Sequence, residues 1–381
     1  MYRIVQIGPY PRSRDHVHGG VEASIYGLSQ EQGRTADVHV FDIPRIGGSQ
    51  RVEKDGNVTL HRWRNAGNRQ VAVAKQVKVM AKEILSLHPD VCHVHGTGLF
   101  AWLMYRALKK NGLKVVVTVH GLIRVEKGNL LRKKFSLKRL FQYLYQGRVE
   151  KRLLSELPAA IVDTEYVREK INTYPIRKKP EASIIPQGIK EVYFSKRCSK
   201  ESCVLLSVGA MSERKGHLLT MKAFEHLRQE GVQAKLVIVG TVTERAYLAR
   251  MQQLLKESEY GKDMAIRTEL PPEELIEMYG ASHLFVLHTE EESQGIVFAE
   301  AMATGMPVVS TKVGGVPYVV EDNVTGLLSE YGSVPDFAAH LKKLMTDSQL
   351  WESMSEASKK AAEAYHWEGI ALKVRGFYDA H

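Results

Sequence analysis

The sequence predicts an α/β fold of two doubly wound domains facing a central cleft. Three observations carry this. The chain has 381 residues, more than one hydrophobic core of about 250–300 residues accommodates. Short Val/Ile-rich runs alternate with longer helical patterns from end to end, the mark of parallel sheets covered on both faces. The alternation then restarts after Gly188, beyond a Gln-Gly and Lys/Ser-rich stretch at residues 187–200.

In the first half, strands are predicted at residues 2–8, 38–41, 58–63, 91–95, 115–120, 160–163 and 183–186. Helices fall between them at 21–32, 71–87, 99–111, 131–154 and 165–173. In the second half, strands are predicted at 203–209, 236–240, 264–267, 284–287 and 307–310. Their helices lie at 217–229, 244–257, 272–279 and 295–303. Three helices close the chain at 334–345, 348–365 and 367–378. The domains are therefore set at 1–190 and 191–365, with a terminal helix, 366–381, crossing back to the first. Both are Rossmann-like, and ligands of such sheets bind outside the carboxyl ends of the strands.

Composition narrows the function. The chain is 44% hydrophobic and 25% charged, as folded soluble proteins are. No apolar run approaches the roughly 20 residues of a membrane span. Residues 1–8 read as a strand that begins at once rather than as a signal peptide. The three cysteines, Cys92, Cys198 and Cys203, form no disulfide framework and fit a reducing cytoplasm. Neither half carries G-x-G-x-x-G after its first strand, and G-x-x-x-x-G-K-[ST] is absent, which argues against a dinucleotide oxidoreductase and a P-loop enzyme.

Charge is uneven. Residues 1–190 carry 33 Lys and Arg against 16 Asp and Glu; residues 191–381 carry 20 against 27. Such asymmetry suggests that the first half meets something anionic. Between Arg124 and Arg152 lie ten basic residues and two acidic ones, with Leu130, Leu131, Phe135, Leu137, Leu140, Phe141, Leu144 and Tyr145 interleaved. A basic amphipathic helix of this kind docks on an anionic membrane surface, with Arg132, Lys133, Lys134, Lys138 and Arg139 as its contacts. The alternative is a solvated helix with an ordinary core face. No helix-turn-helix, RNA-binding or zinc pattern supports nucleic acid as a partner.

The densest signal runs from His288 to Leu328. A strand ends near Leu287, an acidic loop follows, and a helix starts near Gly295. The free amides of Gly295, Ile296 and Val297 suit an anion such as a pyrophosphate. Glu292 lies before that helix and Glu300 inside it. Carboxylates are acceptor-only groups suited to paired sugar hydroxyls.

These residues carry a resemblance. Glu292-x7-Glu300, then Ala-Met-Ala-x-Gly-x-Pro-Val-Val and Val-Gly-Gly-Val-Pro, resemble the nucleotide-sugar site of the retaining glycosyltransferases of family 4, two-domain enzymes of the glycosyltransferase B fold. Gly19-Gly20-Val21-Glu22 is similar to that family's N-terminal glycine loop. Asp90-Val-Cys-His-Val-His95, Val117-Thr-Val-His120-Gly121, Ile185-Pro-Gln-Gly188 and Lys215-Gly216 match further motifs, so the resemblance spans essentially the whole chain.

The resemblance implies roles. Glu300 would bind the ribose hydroxyls and Glu292 would sit by the donor sugar. Lys215 would contact the donor phosphates and offset charge as the nucleoside diphosphate leaves. Gly19 and Gly20 would let backbone approach the diphosphate. His120 would contact the transferred sugar, making His120, Lys215 and Glu292 the catalytic set. His16 and His18 are candidates for acceptor or donor contact. His93 and His95 share one strand face, but the family generally needs no metal, so no metal and no cofactor beyond the nucleotide-sugar donor is expected.

Some positions depart from the family. Ala210 stands where a phosphate-binding Arg is common, and Arg214 could supply that charge. Gln187 replaces Asn, Tyr318 replaces Glu and His288 replaces Pro. The implied function is a cytoplasmic retaining transferase, peripheral on the inner membrane face, moving a sugar to a glycan or lipid-linked acceptor for a bacterial surface. A soluble small-molecule or glucan acceptor, or a sugar-nucleotide-binding protein without turnover, are the alternatives.

Overall fold

A computed structural model of the chain describes residues 1–12, 19–42, 50–63, 70–133, 135–268 and 270–381. His16, His18 and Lys134 lie outside these residues, and the side chains of Arg132 and Lys133 are likewise not described. Contacts divide the chain into two units, Met1–Gly188 with Trp367–His381, and Ile189–His366.

The first unit runs β1 (Arg3–Gly8), α1 (Gly20–Gln32), β2 (Asp37–Asp42), β3 (Arg51–Asp55), β4 (Val58–Arg62), α2 (Gln70–Ser86), β5 (Val91–His95), α3 (Leu99–Lys110), β6 (Val115–Val119), α4 (Ile123–Lys133), α5 (Leu137–Glu156), β7 (Ala159–Val162), α6 (Glu165–Asn172) and β8 (Glu181–Ile184). Its sheet has the order β3-β4-β2-β1-β5-β6-β7-β8. All neighbours are parallel except β3 and β4. Both sheet faces are covered. Val5, Ile7 and Val94 join a core with Met80, Met104 and Leu153; Ile4, Val38 and Val40 join another with Ile25, Ile370 and Phe377. Burial on both sides explains the unbroken Val/Ile runs.

Three departures from the predicted elements have physical reasons. Strand β3 went unpredicted because it is a charged edge, Arg-Val-Glu-Lys-Asp, largely exposed; charge on an edge strand discourages further pairing. It returns into β4 through Gly56, which takes φ 58°. The single helix predicted at 131–154 is two helices, because Ser136 caps α5 by accepting the Arg139 amide at 3.2 Å. In the second unit a further strand, Gly326–Ser329, hides in a Thr-Gly-Leu-Leu-Ser stretch too short to alternate.

That second unit runs α7 (Val192–Ser195), β9 (Val204–Val208), α8 (His217–Gln229), β10 (Lys235–Val239), α9 (Arg245–Glu257), β11 (Met264–Arg267), α10 (Pro272–Ala281), β12 (Leu284–Val286), α11 (Ile296–Ala303), β13 (Val308–Thr311), β14 (Gly326–Ser329), α12 (Val334–Thr346) and α13 (Ser348–Ala362). Its sheet is wholly parallel, ordered β11-β10-β9-β12-β13-β14. Cores again lie on both faces, one around Phe224, Met251, Phe337 and Trp351, the other around Tyr279, Phe285, Phe298 and Met302.

Helix α14 (Trp367–Ala380) belongs to the first unit. Its Trp367 indole lies against Gly27 of α1 and against Gly188, and a Cβ at either would overlap the ring. Glycine is the residue that lets α14 seat there. Among the described residues no helix is long and apolar enough to cross a membrane.

Candidate active site

In the second unit the chain order reverses between β9 and β12, the position where open α/β sheets place ligands. Two loops leave the carboxyl ends of these strands. One carries Arg214 and Lys215 in a short turn, Glu213–Lys215; the other carries His288 through Gly295. Lys215 Nζ donates to Glu292 Oε1 where the loops meet. Arg214 NH1 stands 3.6 Å from Glu292 Oε2 and donates to the Glu291 carbonyl at 2.9 Å. Thr289 Oγ1 lies 3.2 Å from Glu292 Oε1.

Glycine permits this approach. Gly216 takes φ 63°, and a Cβ there would overlap the His288 carbonyl oxygen. Gly314 takes φ 53°, and its Cβ would overlap the Glu292 carbonyl oxygen, which accepts the Gly315 amide at 2.7 Å. The Lys-Gly and Gly-Gly pairs read in the sequence are thus packing requirements around one carboxylate.

Lys215 and Glu292 are 9% and 5% exposed, so their charges are largely removed from water. Burial pushes the Glu292 carboxyl up, but Lys215 and Arg214 outweigh it and hold it below the usual carboxylate range. Burial lowers the Lys215 ammonium, with Glu292 opposing. Each of the two offsets the cost of burying the other's charge, with Arg214 adding to the hold on Glu292.

Helix α11 begins beyond Gly295, which takes φ 76° and whose Cβ would crowd the Phe298 ring at 2.7 Å. The amides of Gly295, Ile296 and Val297 therefore open α11, and first-turn amides have no partner within their helix. Glu300 lies farther along α11. Tyr279 of α10 donates its hydroxyl to Glu300 Oε2 at 2.9 Å, and Tyr193 of α7 is also hydrogen-bonded to this carboxyl. Burial pushes Glu300 up to about 7, a rise the two tyrosines and Lys190 offset only in part.

In the first unit the order reverses between β1 and β5. His95 ends β5, His120 follows β6, and Asp163 follows β7. His95 Nδ1 and His120 Nε2 are 2.9 Å apart, and His120 Nδ1 lies 3.1 Å from Asp163 Oδ2. Gln187 Nε2 donates to the same Asp163 oxygen at 2.6 Å. A Cβ on Gly20 would meet Gln187 Oε1 at 3.4 Å, so the start of α1 reaches this cluster. Gly19, just before it, takes φ 100°, which a glycine adopts without the strain another residue would suffer. His93 stacks on His95 with centroids 4.2 Å apart. Among the described residues no group of three or more His, Cys, Asp or Glu side chains is placed to hold a metal ion.

The basic segment is built differently from its expected core-face alternative. Leu137, Phe141, Leu144 and Tyr145 all face outward, Phe141 at 72% exposure, and Phe135 is exposed beside them. Their spacing of i, i+4, i+7 and i+8 makes one apolar stripe on α5. Lys138 and Arg139 are exposed nearby. The C-terminal half of the helix, with Val149, Leu153 and Leu154, packs inward. From it Glu150, fully buried, accepts the first amides of α4, Ile123 at 2.8 Å and Arg124 at 3.0 Å.

Sequence reading missed Tyr193, Tyr279, Thr289, Asp163 and Glu150. Asp163 closes a predicted strand beside His120, a usable signal. The tyrosines lie in two separate helices, and no local pattern links them to Glu300.

Two largely parallel sheets, each with loops gathered where the strand order reverses, define the doubly wound class. Two family models match the chain, Glycosyltransferase Family 4 over residues 18–191 and Glycosyl transferases group 1 over residues 189–361. The chain belongs to this glycosyltransferase family and has the glycosyltransferase B fold. A D-inositol 3-phosphate glycosyltransferase of Corynebacterium jeikeium (strain K411) is 30% identical over 176 residues, 45% of this chain and 42% of the relative. The match thus spans about two-fifths of the relative's length. Among solved structures, sucrose-phosphate synthase from Thermosynechococcus elongatus superposes with a TM-score of 0.83 at 19% identity, covering 100% and 99% of the two chains. Anabaena Alr3699/HepE in complex with UDP-glucose gives 0.74 at 16% identity, covering 100% of each.

Proposed function

We propose that the chain is a retaining glycosyltransferase that moves a sugar from a nucleotide-sugar donor to a glycan or lipid-linked acceptor in bacterial surface polysaccharide synthesis. The observation that carries this is the buried Lys215–Glu292 contact beside Arg214, set where β9 and β12 diverge. A neighbour of the same fold in complex with UDP-glucose supports the nucleotide-sugar partner.

In this reading the amides of Gly295, Ile296 and Val297 hold the diphosphate with Lys215 and Arg214, and Gly19 and Gly20 leave room for it. Glu300 accepts the ribose hydroxyls, and Glu292 accepts from the donor sugar. The bond between the anomeric carbon and the diphosphate oxygen breaks. The acceptor oxygen bonds to the same face of that carbon and releases its proton to the departing phosphate. Lys215 offsets the charge that builds on the leaving group, so no metal is required. His120 contacts the transferred sugar. The outward stripe of α5, with its lysines and arginines, docks on the anionic inner face of a membrane.

A second reading has one observation of its own. The Corynebacterium relative is named for a small soluble acceptor, which would make the acceptor of this chain soluble too.

The test is a thermal-shift panel with UDP, GDP, ADP and their sugar conjugates on wild type and Glu300→Ala. A ligand at 100 times its Kd adds about 2.7 kcal/mol to the folded state. The expected result is one nucleotide class stabilising wild type and not Glu300→Ala. No shift with any nucleotide would overturn the donor site.

A further inference from the structure

Glu300 is held from the core side by neutral donors. Tyr193 and Tyr279 both belong to the buried cluster beneath α11, whereas Glu300 itself is only half-buried. Tyr279 donates its hydroxyl to Glu300 Oε2 at 2.9 Å, and Tyr193 is hydrogen-bonded to the same carboxyl. Burial, with the Glu300 charge adding to it, raises both phenols well above their ordinary value, so each stays an O–H donor.

The acceptor count then matters. An ionised carboxylate offers about four lone-pair sites on its two oxygens. Two buried hydroxyls take two of them. Two remain, and a pair of hydroxyls on adjacent carbons fills that remainder. A single hydroxyl leaves one site without a donor.

The tyrosines are themselves fixed. Their rings meet edge to face with centroids 5.1 Å apart. Tyr279 stacks on Phe285 of β12 at 6.1 Å, and Phe285 meets Phe298 edge to face at 5.6 Å. Phe298 is the ring that lies against Gly295 where α11 begins. One aromatic row therefore sets both the Glu300 carboxyl and the opening amides of α11. Ile296 and Glu300 stand about 6 Å apart along the helix axis.

We propose that Tyr279 and Tyr193 are positioning residues that hold Glu300 for a vicinal diol, and so make this site select a ribose-bearing donor over its 2′-deoxy counterpart. They act through Glu300 rather than on the donor. This deepens the donor-site reading given above and rests on it.

The test is calorimetric binding of UDP, GDP and ADP, each against its 2′-deoxy counterpart, to the full chain. It is run at pH 9, well above the value of about 7 for Glu300. Inorganic pyrophosphate reports the phosphate end alone. The proteins are wild type, Tyr279→Phe and Tyr193→Phe; each substitution removes a hydroxyl and keeps the ring, so the aromatic row stays filled. Wild type should bind the ribonucleotide about 10- to 100-fold more tightly than its 2′-deoxy form, the range of one hydrogen bond to a charged group. Tyr279→Phe should cut that preference to about threefold and leave pyrophosphate within about twofold of wild type. Tyr193→Phe should act in the same direction.

A second readout is the pH profile. The groups acting on Glu300 are Tyr279, Tyr193 and Lys190. Each tyrosine hydroxyl favours the ionised carboxyl, so its removal pushes Glu300 further up. Ribonucleotide affinity should therefore begin to fall at a higher pH in Tyr279→Phe than in wild type, a shift that a packing role alone does not produce. An unchanged ribose preference in both variants overturns the positioning role. So does a wild type that binds both sugars alike, or a variant that weakens pyrophosphate as much as the nucleotides. A wild type that binds none of the nucleotides removes the donor reading, and the positioning role with it.

Discussion

The two units meet one demand with opposite chemistry. Each gathers polar side chains where a parallel sheet reverses its strand order. The second does so with full charges, Lys215, Arg214 and Glu292, brought together by glycines that remove every intervening Cβ. The first uses amides and rings, Gln6, His95 and His120, ending on one carboxylate, Asp163. A charged cluster is strong but depends on its counterpart. A relay of amides and rings sets orientation instead.

The largest effect should come from breaking the charged side. Lys215→Ala leaves Glu292 buried without its partner, and such a loss costs about 3–5 kcal/mol. It should also lower turnover about 10²–10³-fold, as loss of one preorganised donor does. The double variant Lys215→Ala, Glu292→Ala should regain part of that stability, since no buried charge is then left alone. Denaturant midpoints for the four proteins of the cycle check this. Strictly additive losses would mean that the two side chains do not stabilise one another.

Next in size is the glycine that lets the loops meet. Gly216→Ala places a Cβ in the left-handed region, worth about 1–2 kcal/mol, and against the His288 carbonyl, worth about 1–3 kcal/mol more. The lowered thermal midpoint should be accompanied by loss of nucleotide binding. Gly231→Ala also has positive φ, but a Cβ there meets nothing within 4 Å. It isolates the backbone component and should leave binding intact.

These two sites also mark how far the sequence could be read. Glu292, Glu300 and Lys215-Gly216 were legible because the loops that carry them are contiguous, and a local pattern of charge, glycine and helix start encodes them. The parallel sheets were legible for a similar reason, since burial on both faces writes unbroken Val/Ile runs into each strand. The tyrosines on Glu300 were not. Tyr193 and Tyr279 lie 107 and 21 residues away in sequence and become neighbours only through packing of α7 and α10 on α11. Nor could the apolar residues of α5 be assigned. A stripe at helical spacing is the same string of letters whether it faces a core or solvent, and only the packing, which buries the C-terminal half of α5 and leaves Leu137 to Tyr145 outside, decides it.

A smaller effect sharpens the contrast through pH. The folded Glu300 carboxyl is raised to about 7 from its ordinary 4.5. The folded state therefore holds this proton more tightly than the unfolded chain. Its contribution to stability is present below pH 4.5 and is lost as pH rises towards 7. Nucleotide binding should run the other way, because ribose hydroxyls donate best to the ionised carboxylate. Affinity should fall about tenfold from pH 8 to pH 6. Glu300→Gln, an acceptor that does not titrate, should flatten that slope; an unchanged slope would locate the titration elsewhere.

The smallest effect on stability should come from α5, and it is the one that separates the two acceptor readings. Phe141 is largely exposed, so Phe141→Glu should change stability by no more than about 0.5 kcal/mol. On a membrane surface the same change removes an inserted ring and adds a charge repelled by anionic lipid. Wild type should sediment with anionic vesicles at low salt, release at high salt, and ignore zwitterionic vesicles; Phe141→Glu should stay in the supernatant throughout. If wild type ignores anionic vesicles as well, an outward stripe of Leu137, Phe141, Leu144 and Tyr145 has no lipid to cover it, and the reading of a soluble acceptor takes precedence.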